Sequence, residues 1–183
     1  MTSTPNDDPR SPDDTAGPPT AGGPTPGSAG VLPDPTLTLL ARITVDIDPP
    51  VELGATGRGR RRLIPLAGGR ADGPVVSGSI VPGGVDVQVI RPDGVSEIEA
   101  RYGIALDDGG HVFVENIGIR HAPDEVSARL AAGEPVDPAE VYFRTVARLE
   151  TDRDDLRWLE RTLVIGVGGR FPDSVRIDLH ALG

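Results

Sequence analysis

The sequence contains no cysteine and no lysine, and it has only three histidines. Without cysteine the chain forms no disulfide, no thiolate zinc site and no cysteine nucleophile. Without lysine it forms no Schiff base on a side chain. So few histidines argue against a multi-histidine metal centre, and we expect a protein that uses neither a metal ion nor another cofactor.

Long apolar runs and basic stretches are also scarce. No apolar run approaches the ~18–20 residues that cross a bilayer, so we expect no membrane association. The first ten residues lack the basic and apolar regions of a signal peptide, which predicts a cytoplasmic location. The formal net charge of −10 argues against nucleic-acid binding, because that binding depends on neutralising phosphates. The arginine-rich run Arg58–Arg62 alone does not change this reading and is typical of a solvated loop or an anion contact.

Proline and glycine are abundant but unevenly distributed. Nine of the 19 prolines fall in residues 1–35, a segment with almost no large apolar side chain. Such a segment buries too little surface to offset its ordering entropy, so we predict a disordered tail over residues 1–35. Residues 36–183 are long enough for one domain with a substantial core.

The dominant hydrophobic period in this domain is two, the period of a half-buried strand. Alternation is clear in four segments, Leu37–Ile47, Val85–Val89, Glu97–Ile104 and Val175–His180. Segments rich in β-branched or aromatic residues add four more candidate strands, Val75–Val81, Val112–Ile119, Val141–Thr151 and Trp158–Val167. The pattern predicts an all-β domain, either a closed barrel or a sandwich.

Turn signals join these strands as antiparallel neighbours. Arg91–Gly94 and Asp107–Gly110 are short connections with glycine where hairpins need a positive φ. Gly166–Gly169 lacks the spacing of a dinucleotide-binding fingerprint and predicts another turn. Only Asp124–Ala132 favours a helix, with Pro123 near its start and Gly133 past its end.

Polar residues recur on single faces of these strands. Asp86 and Gln88 share one face, and Tyr142 and Arg144 share another with Glu150 further along. Such residues form either the solvent face of a sheet or a mixed-charge pocket inside a barrel, and periodicity does not decide between them. His121 precedes the predicted helix, where a capping, hydrogen-bonding or acid role is open, and the single tryptophan, Trp158, fills a core or contacts a ligand.

Several motifs in their order and spacing resemble the DUF3237 family, also called UPF0311. They are Gly59–Gly69, Pro82–Gln88, Ala100–Tyr102, Gly118–His121, Tyr142–Thr145, Glu150–Thr151 and Trp158–Leu159. The resemblance covers residues 37–181 and implies a single antiparallel barrel of lipocalin-like appearance with a binding or catalytic cavity. It brings no established reaction. The chain departs from the family pattern at Val87, often tryptophan, and at Glu160, often asparagine.

The resemblance also marks which polar positions belong to the family pattern. They are Asp86, Gln88, Arg101, Arg120, Arg144 and Glu150, and Trp158 and Glu160 are further ligand-binding candidates. We expect these side chains to converge in the barrel on an apolar, oxygen-bearing small molecule.

Three functions stay open. A cofactor-independent isomerase, cyclase or lyase would use Arg101 and Arg144 to stabilise negative charge, Asp86 or Glu150 as base, and Tyr142 or His121 as acid. A non-catalytic binding protein would use the same cavity. An interaction module would instead have a barrel filled by its own side chains. The pattern leaves open whether the chain forms a homo-oligomer.

Overall fold

The computed structural model describes residues 32–183, so the predicted disordered tail lies almost entirely outside the described residues. Residues Pro35–Gly183 form one compact unit. Its strands are β1 (Leu37–Ile47), β2 (Val51–Thr56), β3 (Gly59–Asp72), β4 (Gly78–Ile80), β5 (Gly84–Ile90), β6 (Ser96–Leu106), β7 (His111–His121), β8 (Tyr142–Thr151), β9 (Val164–Arg170) and β10 (Ser174–Leu182). No helix within residues 32–183 has the length and hydropathy needed to cross a membrane.

Eight of the strands close a barrel. Their order around it is β1-β10-β9-β8-β7-β6-β5-β3, and β3 pairs with β1 to complete the circle. All of these pairs are antiparallel. The strand β2 forms a hairpin with β3, and β4 bridges β3 and β6 beside β5. The prediction of an all-β, lipocalin-like antiparallel barrel is confirmed.

The alternation in the sequence determines which side chains fill the barrel. Along β6, for example, Ile98, Ala100, Tyr102 and Ile104 are all buried. Corresponding positions of the other strands join Ala100, Tyr102 and Ile104 in one large apolar cluster. A closed sheet has one continuous inner face, and the period of two in the sequence follows directly from it.

The barrel has one end that carries polar side chains on its inner face. Ile90, Ser96, Arg120 and Arg170 lie at the ends of their strands there, and we call this end the mouth. The helix α1 (Asp124–Ala131), which the sequence predicted as a helix, covers this end through an apolar cluster of Ile98, Val126, Val141 and Phe143.

Strand β3 was not predicted, although it pairs with four others. Pro65 and a glycine pair interrupt its hydrophobic alternation, which hides the period of two. The backbone bends at Gly68 and Gly69, both with positive φ, where β3 passes from β5 to β1. The arginine run, interpreted from the sequence as a solvated loop or an anion contact, therefore lies mostly in this strand.

Two other predictions were wrong. Gly166–Gly169 is not a turn but part of β9. Its glycines are explained by close packing on the inner face: a Cβ at Gly166 would lie 2.1 Å from Thr145 Oγ1, and one at Gly168 would meet the ring of Phe143. Trp158 belongs to a 3-10 helix, Asp154–Arg161, in which Leu159 is the buried residue, and the strand begins only at Val164. A second 3-10 helix, Pro138–Glu140, starts with a capping box at Asp137.

Candidate arginine-lined binding site

Polar side chains enter the barrel on the inner face of β5. Asp86 and Gln88 are 7% and 2% exposed. Their neighbours in register are Ile64 and Arg62 on β3, and Ala100 and Ile98 on β6. Because buried apolar residues flank Asp86 on both sides, the shared face that the sequence predicted for Asp86 and Gln88 is the inner one.

A chain of hydrogen bonds connects these residues to the mouth. Arg62 donates through Nε and a terminal nitrogen to Gln88 Oε1, at 3.0 and 2.8 Å. Gln88 Nε2 donates in turn to Asp86 Oδ2, and the backbone N–H of Glu99 donates to Asp86 Oδ1 at 3.3 Å. Both carboxylate oxygens of Asp86 are thus occupied, and Gln88 fixes the plane of the Arg62 guanidinium.

Two further arginines extend this group at the mouth. Arg120 lies with its guanidinium 6.0 Å from the ring centre of Phe143. Arg170 donates to the backbone oxygens of Ser174 and Pro172, each at 3.2 Å. Within residues 32–183, none of Arg62, Arg120 and Arg170 forms a salt bridge with a carboxylate. We call these three residues the arginine cluster.

The arginine cluster borders a cavity of about 600 Å³ beneath α1. Other polar lining residues are Arg60, Ser96, His121, Ser127 and Glu134, and the apolar ones include Ile90, Leu130, Val141, Phe171 and Pro172. Asp86 and Gln88 do not line the cavity and support its wall through Arg62. The volume lies in the range of small-molecule sites, and the mixture of an apolar wall with a few convergent polar groups is typical of them.

The electrostatics of the arginine cluster favour an anionic ligand. Burial, followed by repulsion from Arg62 and Arg170, lowers the pKa of Arg120 to about 10. Burial is also the main cause that lowers the pKa of Arg62 and of Arg170. All three remain cations near neutral pH, so the cavity concentrates positive charge in a chain that is acidic overall.

Burial has the opposite effect on the neighbouring carboxyl group. It raises the pKa of Asp86, while the hydrogen bonds from Gln88 and Glu99 and the charges of Arg120 and Arg62 partly oppose the rise. The native state therefore binds this proton more tightly than the unfolded chain does. The contribution of Asp86 to the free energy of unfolding is largest below its ordinary pKa of 3.8 and falls as pH rises towards the native value.

The Asp86→Asn variant tests this burial. Over the interval above pH 3.8, the wild-type protein should lose about 1.4 kcal/mol per pH unit relative to the variant, until the native pKa is passed. Urea unfolding of both proteins across this interval measures the difference. The control is Val146→Ala, at an exposed position of β8, which keeps Asp86 and should stay parallel to the wild type. Parallel curves for Asp86→Asn as well would contradict a raised pKa for Asp86.

Around the barrel from Asp86 and Gln88, the inner face carries buried polar atoms without a partner among the described residues. They include both side-chain polar atoms of Asn116 on β7, Thr145 Oγ1 on β8 and the hydroxyl of Tyr102 on β6. Buried polar groups in proteins are usually paired, often through ordered water. The register places Asn116 beside Ala100, the partner of Asp86, so the polar part of the inner face extends from β5 round to β7 and β8.

The structure brings only part of the predicted site together. Asp86, Gln88 and Arg120 lie on the inner face at or behind the cavity, and His121 lines its edge. His121 stacks on Tyr142 with ring centres 4.9 Å apart, and Tyr142 itself is 46% exposed on the outer face of β8.

The other candidates lie outside the barrel. Arg101 forms ion pairs with Glu99 and Glu115, and Arg144 lies over the ring of Tyr142. The expectation that these two arginines enter the lumen with Asp86 is wrong, because the register pairs Arg101 with Val85 rather than with Asp86. Glu150, Trp158 and Glu160 are also exposed.

Glu150 and Glu160 line an outer depression of about 810 Å³ beside the 3-10 helix Asp154–Arg161. This depression is larger than the mouth cavity but more open to solvent. Water reaches its carboxylates and arginines and weakens the electrostatic interactions that they would make with a ligand. We therefore regard the mouth cavity as the better candidate site.

Two residues of the arginine cluster were missed. Arg62 lies in the run interpreted as a solvated loop or an anion contact, and Arg170 directly follows the glycine-rich run predicted as a turn. One signal was available: if β3 is extended, Arg62, Ile64 and Leu66 alternate and must share a face. For Arg170 the sequence offers no comparable signal.

The fold and this site define a class: a small closed antiparallel β-barrel with a polar, arginine-lined mouth and an apolar far end. A family model described as "Protein of unknown function (DUF3237)" matches residues 35–182. The chain belongs to the DUF3237 family, whose curated relatives carry the name UPF0311.

Bacterial relatives share most of the domain. A UPF0311 protein of Rhodopseudomonas palustris is 45% identical over 138 residues, which cover 75% of this chain and 90% of that protein. A UPF0311 protein of Clostridium acetobutylicum is 39% identical over 141 residues, or 76% and 89% of the two chains. The family assignment therefore rests on nearly the whole length of these relatives.

Solved structures share the barrel. The R. palustris protein, described as a conserved protein of unknown function, superposes with a TM-score of 0.80 at 41% identity and covers 83% of this chain and all of that chain. A "beta-barrel like protein" of Acinetobacter baumannii gives 0.74 at 34% identity, covering 84% and 99%. A protein of Penicillium herquei described as an enzyme gives 0.59 at 18% identity, covering 82% and 98%, which shows a common fold alone.

Proposed function

We propose that the mouth cavity binds a small organic molecule that carries an anionic oxygen group on an apolar body. The observation that carries this proposal is the arginine cluster, three guanidinium groups without a carboxylate partner among residues 32–183 that border one cavity. Guanidinium groups bind carboxylate and related oxygens through paired hydrogen bonds. The cavity of about 600 Å³ lies at the mouth, outside the part of the barrel that its own side chains fill, and leaves room there for a ligand.

Catalysis by the same cavity is a second candidate. His121 lines the edge of the cavity, within reach of a ligand held by the arginine cluster. It would act as the acid in an isomerase, cyclase or lyase type proton transfer, while the arginine cluster stabilises a developing enolate. Asp86, whose oxygens are both occupied, would act by holding Gln88 and Arg62. The fold itself accommodates catalysis, since the P. herquei protein of the same fold is described as an enzyme.

Binding by the arginine cluster is tested with anilinonaphthalene sulfonate, a fluorescent aromatic anion. Arg120→Gln should weaken probe binding by about tenfold or more, because it removes the most buried cation of the site. The matched control is Arg61→Gln on the adjacent position of β3, which alternation places on the opposite face from Arg62. The control should bind the probe within about twofold of the wild type. Fluorescence titration at fixed ionic strength measures both.

Equal affinities for wild type and Arg120→Gln, with both folded, would contradict the proposal. Once a natural ligand is identified, its NMR spectrum after incubation with the protein separates the two candidates, because the product of an isomerase or cyclase has the same mass as the ligand. A binding protein returns the ligand unchanged. An enzyme converts it, and His121→Asn then slows conversion without a matching loss of affinity. A cytoplasmic location and a homo-oligomer stay predictions.

A further inference from the structure

The charges around the mouth cavity do not balance. Arg60 lines the cavity but pairs with Glu52 at 3.2 Å, and Glu134 lies 3.8 Å from Arg129. Arg60 is therefore compensated, while Arg129 is shared by Glu134 and Glu140, the latter at 3.5 Å. Of the charged groups that line the cavity within residues 32–183, the arginine cluster alone has no such partner.

The remaining charges near the arginine cluster do little to neutralise it. Asp173 and Glu52 act on Arg170 and Arg62 only over a distance, without a salt bridge. Asp86 lies behind the cavity wall, and its oxygens accept hydrogen bonds from Gln88 and Glu99. Even with an ionised Asp86, three cations face one anion. Among the arginine cluster and Asp86, the excess is two positive charges with Asp86 ionised and three with it neutral.

The guanidinium groups are also held in place for a ligand. Gln88 fixes Arg62, two backbone oxygens fix Arg170, and the ring of Phe143 lies beside Arg120. A guanidinium has five N–H donors, and these contacts use at most two of them in each residue. Most donors of the arginine cluster thus stay available, and little side-chain entropy is lost when they bind.

We propose that the ligand carries two negative charges close together, as a dicarboxylate or a phosphate monoester does, on an apolar body. This proposal rests on the proposed function and names its ligand class. Two ligand charges match the excess of the arginine cluster, whereas one leaves cations repelling each other around the ligand. The apolar wall, with Ile90, Leu130 and Phe171, accommodates the body of the molecule.

Displacement of bound anilinonaphthalene sulfonate compares four competitors of similar size: phthalate, phenyl phosphate, benzoate and benzamide. At a pH where phthalate and phenyl phosphate are doubly charged, each should bind at least about tenfold more tightly than benzoate. Benzamide should bind most weakly. In the Arg120→Gln and Arg62→Gln variants, whose melting temperatures establish folding, the preference for the two dianions should fall to about threefold or less.

The outcomes separate this inference from the proposed function. Equal binding of benzoate and both dianions overturns the dianion preference and leaves anion binding intact. A preference for phthalate alone or phenyl phosphate alone supports the inference and identifies the head group. Binding of benzamide as tight as that of the anions, or a preference for dianions that persists in both variants, overturns the role of the arginine cluster itself.

Discussion

Gly69→Ala should destabilise the barrel by about 3–5 kcal/mol, or prevent folding altogether. Gly69 lies on β3 opposite Val45 of β1, at the seam that closes the barrel. Its φ of +131° is rarely adopted by other residues, and an added Cβ would lie 2.1 Å from the backbone oxygen of Thr44. Neither strand can shift without disturbing its other neighbour, since β1 also pairs with β10 and β3 with β5.

Urea unfolding measures this loss, and Gly54→Ala separates its two causes. Gly54 also has a positive φ, +89°, but a Cβ there would meet nothing within 4 Å. That variant should lose only about 1–2 kcal/mol, the cost of the backbone conformation alone. If Gly69→Ala is no less stable than Gly54→Ala, the close approach of β3 to β1 is wrong and the barrel is not closed there as described.

Phe143→Ala should cost about 3–5 kcal/mol, the usual loss when a large aromatic side chain is removed from a core. Phe143 is 2% exposed and joins Ile98 and Val141 beneath Val126 of α1. It also fills the space that Gly168 leaves on the inner face of β9. Its removal takes away both the platform for α1 and the aromatic ring beside Arg120.

Thermal and urea unfolding test this expectation, with Val146→Ala as control on the same strand. Val146 is 46% exposed on the outer face of β8, so its truncation should change stability by less than about 0.5 kcal/mol. Phe143→Leu should lose less than half as much stability as Phe143→Ala, because most of the apolar volume remains. A Phe143→Ala variant as stable as Val146→Ala would contradict the packing of α1 over the mouth.

Alternation survives in most strands and predicted a barrel or a sandwich, and the resemblance to the DUF3237 family then implied the barrel. The segment around β6 alternates without interruption, and its buried residues follow the predicted face. The strand β3 was not predicted because Pro65 and the bend at Gly68 and Gly69 interrupt its hydrophobic alternation. Such a bend is a property of the closed sheet, since it lets one strand contact both β5 and β1, and no local pattern encodes it.

The sequence predicted which polar residues share a face of a strand, but not whether that face lies inside or outside the barrel. Asp86 and Gln88 were correctly assigned to one face, but alternation does not say which face of a strand lies inside. Arg101 and Arg144 were assigned to the lumen with them, and the register places both on the outer surface. A shift of one residue in register exchanges the inner and outer faces of a strand. Charged residues on separate strands therefore cannot be assigned to one site before the register is known.

The central claim is that the arginine cluster binds an anion inside the barrel mouth. Heteronuclear NMR of isotope-labelled arginine side chains, titrated with phenyl phosphate, follows every guanidinium in one experiment. We expect the Nε signals of Arg62, Arg120 and Arg170 to shift together in a single saturable step, while that of Arg61 stays unchanged. Saturable shifts at Arg148 and Arg161 in the outer depression, with none in the arginine cluster, would contradict the claim.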